Sequence, residues 1–232
     1  MALWPKPNVL LIDPAEGLSD ANRWKESSGN GLDALPGAAY AAPAYGFAAG
    51  PSGAPYIVGG GVADSNATLP LGFYTRAPTT GMTVLLVQKF TAPAAGDFVF
   101  SCLNAAPNRG FVVDFPTSER LRIRGYDVVG AIMSATMTAD GPLAGRTRVV
   151  VIALDQAGSA ARAWIDGQQV AATFAGSVFA LAYDAAVVPT LFSIVGGAGN
   201  YNDASVYLLG IDGRVWSHQE VVAFSSFWLD RI

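Results

Sequence analysis

The sequence predicts an all-β fold in which two antiparallel sheets pack face to face, with one short helix at the C-terminus. From about residue 56, short runs of β-branched and aromatic residues alternate with Gly, Pro, Asn and Asp, which is typical of a sandwich. An Asp-Gly pair, Asp166-Gly167, lies between two such runs and indicates a tight hairpin. The clearest helix signal is near the end, where Ser217 precedes Glu220 by three residues as in a capping box.

The predicted strands are spaced along the chain as short, turn-bounded runs. They are Met82–Phe90, Asp97–Leu103, Gly110–Phe115, Arg120–Tyr126, Arg148–Leu154, Arg162–Ile165, Gln168–Phe174, Leu191–Val195 and Ser205–Ile211. Alternate residues of a strand point to opposite faces, so one set should fill the space between the sheets. For that core we expect Val149, Val151, Trp164, Phe192, Ile194 and Leu208.

Local sequence signals predict two turns and the start of one helix. Asp166-Gly167 suits the positive φ angles of a type I′ turn, so the flanking runs should pair in tight register. A second reverse turn is predicted over residues 155–158, and a helix of one or two turns should begin after Ser217.

The N-terminal part of the chain differs from the rest. Residues 1–55 are rich in Pro, Gly, Ala and Tyr and have no sustained periodicity, so we expect an extended arm and the first strands there. Residues 56–232 should form the sandwich domain. The arm contains too many apolar residues for a free linker, and it should be docked on its own sandwich or on a neighbour.

Charge and composition indicate assembly. Only 14% of the residues are charged and the net charge is -4, against about 25% charged residues in typical soluble domains. We therefore expect a homo-oligomer or a subunit of a larger shell, with both chain ends as docking elements. The expected interface residues are Leu3, Trp4, Val9, Leu10, Phe227, Trp228 and Ile232. In the alternative, both ends fold back on their own domain.

One basic cluster interrupts the acidic chain. Arg120, Arg122 and Arg124 alternate along a predicted strand and should share one face, which favours a solvated surface over a site for phosphate or an acidic partner. Nucleic acid is not an expected partner. No apolar run approaches the roughly 18 residues of a spanning helix, and no small-residue cleavage site follows the N-terminus, so neither a membrane nor a secretion signal is predicted.

The order of elements from Arg148 to Ala171 resembles that of concanavalin A-like (laminin G-like) lectin domains. A long apolar strand, a short turn, an aromatic-bearing strand and an Asp-Gly hairpin follow one another, and Phe192 to Gly197 is similar to the family's strand before a glycine turn. Phage-encoded members often add an aromatic tail, as Phe227-Trp228-Leu229 does here. The resemblance implies a jelly-roll sandwich closed by a short helix, and it points to a virus particle, with synthesis in the host cytoplasm.

Candidate catalytic groups are sparse. Hydrolases of this fold place Glu-x-Asp-x-x-Glu on one strand, but the four glutamates here, Glu16, Glu26, Glu119 and Glu220, are dispersed. His218 is the single histidine and should be a solvated residue of the first helical turn, and Cys102, the single cysteine, should be a core thiol. The sequence therefore predicts neither an enzyme nor a metal site of His or Cys ligands.

One rim loop has residue types that suit a ligand. Asn200, Tyr201, Asn202 and Asp203 follow a glycine-rich loop and combine an aromatic ring, two amides and a carboxylate, which suit a sugar or a calcium ion, although a plain polar turn is the simpler interpretation. No other cofactor is expected.

Three functions follow from these observations. The first is a non-enzymatic structural protein of a bacteriophage particle, such as a head decoration or a tail-associated module, in contact with other virion proteins. The second is a carbohydrate-binding module for a cell-surface glycan, and the third and least favoured is a glycoside hydrolase.

Overall fold

The computed structural model describes residues 4–20, 23–37, 48–49, 53–58, 66–90, 94–104, 109–138, 143, 145–193 and 204–232. In these ranges there are eighteen strands, two short 3-10 helices (Pro14–Glu16 and Leu71–Thr75) and one α-helix, α1 (His218–Leu229). The strands are β1 (Leu10–Ile12), β2 (Leu18–Asp20), β3 (Arg23–Trp24), β4 (Leu35–Pro36), β5 (Ala48–Ala49), β6 (Pro55–Val58), β7 (Ala67–Thr68), β8 (Gly81–Phe90), β9 (Phe98–Ser101), β10 (Gly110–Thr117), β11 (Arg120–Tyr126), β12 (Ile132–Met137), β13 (Thr147–Asp155), β14 (Ala160–Ile165), β15 (Gln168–Val170), β16 (Ala172–Gly176), β17 (Thr190–Leu191) and β18 (Ala204–Asp212).

Most strands belong to two antiparallel sheets. The first sheet has the order β15-β14-β13-β8-β18-β6-β5, with β1 also paired to β18. The second sheet has the order β16-β12-β11-β10-β9-β17-β7-β4, and β2 and β3 form a separate pair. The predicted two-sheet sandwich with a C-terminal helix is therefore confirmed.

The space between the sheets holds the central hydrophobic core. The first sheet contributes inward residues such as Val84, Leu86, Val150 and Ile152, and the second contributes residues such as Phe111, Val113, Ile123 and Met133. Phe192 lies in this core, as predicted, whereas Ile194 falls outside the described residues.

A second hydrophobic core covers the outer face of the first sheet. It comprises Trp4, Leu11, Leu85, Val87, Val149, Val151, Ala153, Trp164, Tyr207, Leu208, Trp216, Val221, Phe224 and Trp228. The prediction that Val149, Val151, Trp164 and Leu208 point toward the other sheet is therefore wrong. These residues are buried beneath α1 and the N-terminal segment, because β13 and its neighbours are apolar on both faces and both faces are covered.

The predicted hairpin is confirmed. β14 and β15 pair with Ile165 opposite Gln168, and the two turn residues have positive φ, 53° at Asp166 and 82° at Gly167. The reverse turn after β13 is also present, with the Gly158 N–H donating to Asp155 Oδ1 at 3.0 Å.

Two parts of the second sheet differ from the sequence prediction. The run predicted as one strand, Gln168–Phe174, divides at Ala171: β15 joins the first sheet and β16 pairs with β12 in the second. β12 itself was not predicted, because its sequence alternates Met and Ala with small polar residues and has few β-branched or aromatic side chains.

The described part of the N-terminal region is integrated with the sandwich. Val9, Leu10, Ile12, Trp24 and Leu32 lie in the central core, and β1 pairs with β18. A turn at residues 28–31 is organised by the buried carboxylate of Glu26, which accepts hydrogen bonds from the backbone N–H groups of residues 11, 28 and 30.

The C-terminal helix begins with the predicted capping box. The Ser217 hydroxyl accepts from the Glu220 N–H at 3.3 Å, and Glu220 Oε2 accepts from the Ser217 N–H at 2.7 Å. With 12 residues, α1 is longer than predicted, because its apolar side packs on the first sheet. Within the described ranges, no helix has the length and apolar character needed to cross a membrane.

Candidate functional site

The rim loop predicted from the sequence lies outside the described residues. Asn200, Tyr201, Asn202 and Asp203 belong to that part of the chain, as does Leu3, so the ligand, calcium and interface predictions for them stay predictions. Among the residues that the structure does describe, no group of three or more His, Cys, Asp and Glu side chains is placed to hold a metal ion.

The described residues at the chain ends pack against their own sandwich. Trp4, Val9, Leu10 and Trp228 are buried within their own chain, at exposures of 7%, 2%, 0% and 4%. Phe227 and Ile232 are partly buried against the second core. This packing agrees with the alternative in which both ends fold back, and a role of these residues in an assembly stays a prediction.

The cover is an aromatic cluster around Trp4. Its ring lies 5.0 Å from Phe224 and 5.9 Å from Phe227, both in edge-to-face geometry, and 6.4 Å from Trp216. The Trp216 indole N–H donates to the buried carboxylate of Asp212 at 2.7 Å. This side of the sandwich is therefore closed by structural contacts.

A polar cleft opens at one end of the sandwich. Its volume is about 370 Å³, within the usual range for small-molecule sites. It is formed by the segment between the second 3-10 helix and β8, by the residues before β1 and by the turn after β18. Its lining residues are Asn8, Val9, Thr75, Arg76, Ala77, Pro78, Thr79, Thr80 and Gly213.

Most of the polar groups in this cleft are not used within the chain. Arg76, Thr79 and Thr80 are exposed, and none of their side chains has a hydrogen bond or ion pair with another described residue. Asn8 Oδ1 accepts from the Gly213 N–H at 2.8 Å, which fixes the amide and leaves its Nδ2 group available. The cleft therefore presents a guanidinium, an amide and two hydroxyls beside the small apolar surface of Ala77.

A second polar feature lies on the outer face of the second sheet. Asp114 of β10 is 1% exposed, and it accepts from Arg122 Nε and Nη2 at 3.0 and 2.7 Å and from Arg124 Nη2 at 2.6 Å. The hydrogen bond with Asp114 is the main cause of a raised pKa at Arg122. Arg124 Nη1 also donates to the Tyr126 hydroxyl at 3.4 Å.

This arrangement refines the prediction for the basic cluster. Arg122 and Arg124 do share one face of β11, but they are about three-quarters buried, with side-chain exposures of 26% and 27%, and are not simply solvated. Sequence reasoning missed Asp114. A single carboxylate in the apolar run Gly110–Phe115 was the available signal, since a buried charge needs a partner on a neighbouring strand.

The other buried ionisable groups have structural partners. Asp212 binds Arg214 and Trp216, and burial raises the pKa of the Cys102 thiol, as suits the predicted core thiol. His218 is exposed in the first turn of α1, as predicted, and its Nδ1 accepts a hydrogen bond from Trp164 Nε1 at 3.0 Å.

The fold of this chain is similar to that of several solved structures. The binding domain of Paraclostridial mosquitocidal protein 1 has a TM-score of 0.66 and 13% sequence identity, over 97% of this chain and 53% of that one. The binding domain of botulinum neurotoxin serotype G has a TM-score of 0.69 and 14% identity, over 95% of this chain and 51% of that one. This chain thus spans about half the length of these structures, and identities this low show the fold alone.

Sequence comparisons add no relative. No protein-family model matches the chain, and no curated protein matches it. The two solved structures described above are both binding domains by their descriptions.

Proposed function

We propose that this chain is a non-catalytic carbohydrate-binding module and that the polar cleft at the end of the sandwich binds the sugar. The observation that carries the proposal is the set of unused donors in that cleft: the Arg76 guanidinium, the Asn8 Nδ2 group and the hydroxyls of Thr79 and Thr80. Polar side chains that converge on a cleft without internal partners are typical of a ligand site.

The chemistry of the cleft suits a saccharide. Sugar hydroxyls both donate and accept hydrogen bonds, and the threonine hydroxyls do the same, whereas Arg76 and Asn8 Nδ2 only donate. Ala77, which is partly exposed in the lining of the cleft, supplies apolar contact for the C–H groups of a sugar ring. The backbone of this segment is held in place, because the Leu181 N–H donates to the Thr79 carbonyl at 3.0 Å.

The fold and the carboxylates support a binding role over a catalytic one. The similar solved structures are binding domains, one of them described as a receptor-binding domain. The buried carboxylates Glu26, Asp114 and Asp212 are each held by donors of the chain itself, which is typical of structural groups. The rim loop at residues 200–203, with or without calcium, remains the alternative sugar site.

The test is a glycan array with and without calcium, followed by titration of the best oligosaccharide. Arg76→Gln and Thr80→Val should each weaken binding at least 5-fold without lowering the melting temperature, because both side chains are exposed. Arg162→Gln, the same change at an exposed arginine of β14, is the matched control and should bind as the wild type does. An array without hits, or equal binding by all variants, would overturn the assignment of the cleft.

A virion structural role is the second candidate, and one surface feature favours it. Val128, Val129 and Ile132 at the β11–β12 turn are 57%, 78% and 49% exposed, and Val178 just beyond β16 is 50% exposed. Large apolar side chains grouped at one sheet end are typical of a contact surface. Under this second candidate, the chain forms homo-oligomers and is related to laminin G-like phage proteins.

Light scattering at several protein concentrations tests the second candidate. A mass above 24.1 kDa that falls to the monomer value on Val129→Asp supports an assembly role. A monomer at all concentrations would argue against it.

A further inference from the structure

We propose that the outer face of the second sheet is a separate site for an acidic polysaccharide, bound by Arg122 and Arg124 while Asp114 positions their guanidinium groups. The site goes beyond the proposed function, because it uses a different surface from the polar cleft and residues that the cleft does not include.

The local charge is the first argument. Two guanidinium groups share one carboxylate, so the trio keeps a net positive charge on a chain whose total is -4. The strand register brings no second acid beside them: Arg122 lies between Asp114 and Thr136, and Arg124 lies between Val112 and Ser134. An anionic group would complete the charge balance at this position.

The second argument is the number of available donors. Each guanidinium has five N–H donors, and the pair makes three hydrogen bonds to Asp114 and one to the Tyr126 hydroxyl. Arg124 Nε is buried, has no hydrogen-bond partner in the described part of the chain and is not itself accessible to a ligand. About a quarter of each arginine side chain stays exposed, so the outward N–H groups are within reach of a ligand.

The neighbouring side chains indicate a polysaccharide as the occupant. Ser134 and Thr136 of β12 and Thr173 of β16 lie on the same face, partly or fully exposed. None of their hydroxyls makes a side-chain hydrogen bond to another described residue. Hydroxyls in a row beside two planar guanidinium forks suit a chain of sugars that carries carboxylate or sulfate groups.

Asp114 is assigned as a positioning residue because it contacts both arginines and is itself inaccessible. A positioning role and simple charge attraction predict opposite effects of Asp114→Asn on the affinity for an anion. Replacing Asp114 by Asn adds a positive charge to the face and would tighten the binding of an anion if the field alone mattered. If positioning matters, the same change weakens binding, since the guanidinium groups lose their fixed orientation.

The experiment measures binding to two matched pairs of immobilised oligosaccharides. The pairs are oligogalacturonate with its full methyl ester, and sulfated dextran oligosaccharides with unsulfated ones. We expect at least one acidic member to bind and its neutral partner not to bind. Arg124→Gln should weaken this binding at least 10-fold while Arg122 still pairs with Asp114. Arg162→Gln, the same charge change on the first sheet, should bind within 2-fold of wild type.

Two further variants test the positioning role. Asp114→Asn and Arg122→Lys should each weaken binding at least 5-fold. Arg122→Lys keeps the positive charge but loses the planar guanidinium, so it tests the positioning role even where Asp114→Asn lowers the melting temperature too far for a binding measurement. Tighter binding by Asp114→Asn, or unchanged binding by Arg124→Gln, would overturn the proposal. Equal affinity for duplex DNA would also overturn it, as general attraction of polyanions.

The cleft variant separates this site from the proposed function. Arg76→Gln should leave acidic binding at this face unchanged. If the neutral and acidic sugars bind equally and only Arg76→Gln reduces the binding, the acidic site is refuted and the cleft is supported. If no acidic oligosaccharide binds, the acidic site is refuted whatever the glycan array shows.

Discussion

Truncation of Trp164 tests the second hydrophobic core. The indole is 1% exposed, and it lies between the first sheet and α1, in the same cluster as Val151, Val221 and Phe224. Trp164→Ala leaves a large cavity and should cost about 3 to 5 kcal/mol. At about 2 °C per kcal/mol for a domain of this size, the melting temperature should fall by about 6 to 10 °C.

Calorimetry on two more variants separates packing from the hydrogen bond. Trp164 Nε1 donates to His218 Nδ1 at 3.0 Å, and His218 is exposed, so water can replace it. His218→Ala should therefore cost only about 1 kcal/mol. Trp164→Phe should fall between the two, because a smaller aromatic ring remains and the donor is lost. A change under 1 °C for Trp164→Ala would refute the buried position of the ring.

Four further predictions concern the hairpin turn, the helix cap, the Glu220 carboxylate and the N-terminus. Gly167→Val should lower the free energy of unfolding by about 2 to 4 kcal/mol in chemical denaturation, because φ is 82° and a Cβ would lie 3.2 Å from the Ser225 Cβ. Gln168→Val, on an exposed position of β15, should change the free energy of unfolding little. Equal effects of the two variants would refute the turn. Ser217→Ala should cost about 1 kcal/mol through loss of the capping box, and an unchanged denaturation midpoint would argue against the cap. The pKa of Glu220 is lowered: desolvation raises it, but the hydrogen bonds from Ser217 and the charge of Arg214 outweigh this effect. The ionised carboxylate therefore stabilises the fold above about pH 4.5, and this contribution should be lost below that pH in pH-dependent unfolding. Glu220→Gln should remove this part of the pH dependence. Deletion of residues 1–17 should lower the melting temperature of the monomer by uncovering the second core, and unchanged stability would contradict the docking of this segment.

Local signals in the sequence were sufficient for much of the fold. The hairpin at Asp166-Gly167 depends on two residues with positive φ angles, which suit such a turn, and the capping box depends on a three-residue spacing. The long strands β8, β11, β13 and β18 could be predicted because each is a continuous run bounded by turn residues.

The assignment of strand faces could not be made from the sequence. Val149 to Leu154 is apolar at every position, so alternation does not say which side faces the other sheet and which faces α1. The same ambiguity led to the prediction that the aromatic residues of the chain ends contact a neighbouring molecule. Their cover is the first sheet itself, and only the tertiary structure shows it.

The candidate sites were partly hidden for the same reason. The polar cleft joins Asn8, the segment 75–80 and Gly213, which are far apart in the chain and carry no common motif. In contrast, the pairing of Asp114 with Arg122 follows from the register of two adjacent predicted strands. A search for single charges inside apolar runs would have found it.

The most direct test of the central claim is amide chemical-shift mapping by NMR with the best oligosaccharide from the array. If the cleft binds the sugar, the largest shifts should occur at Asn8, at residues 75–80 and at Gly213, and Arg76→Gln should need at least 5-fold more sugar to produce them. Shifts confined to residues 200–203 or to the outer face of the second sheet, or no shifts at saturating sugar, would contradict the assignment of the cleft as the carbohydrate site.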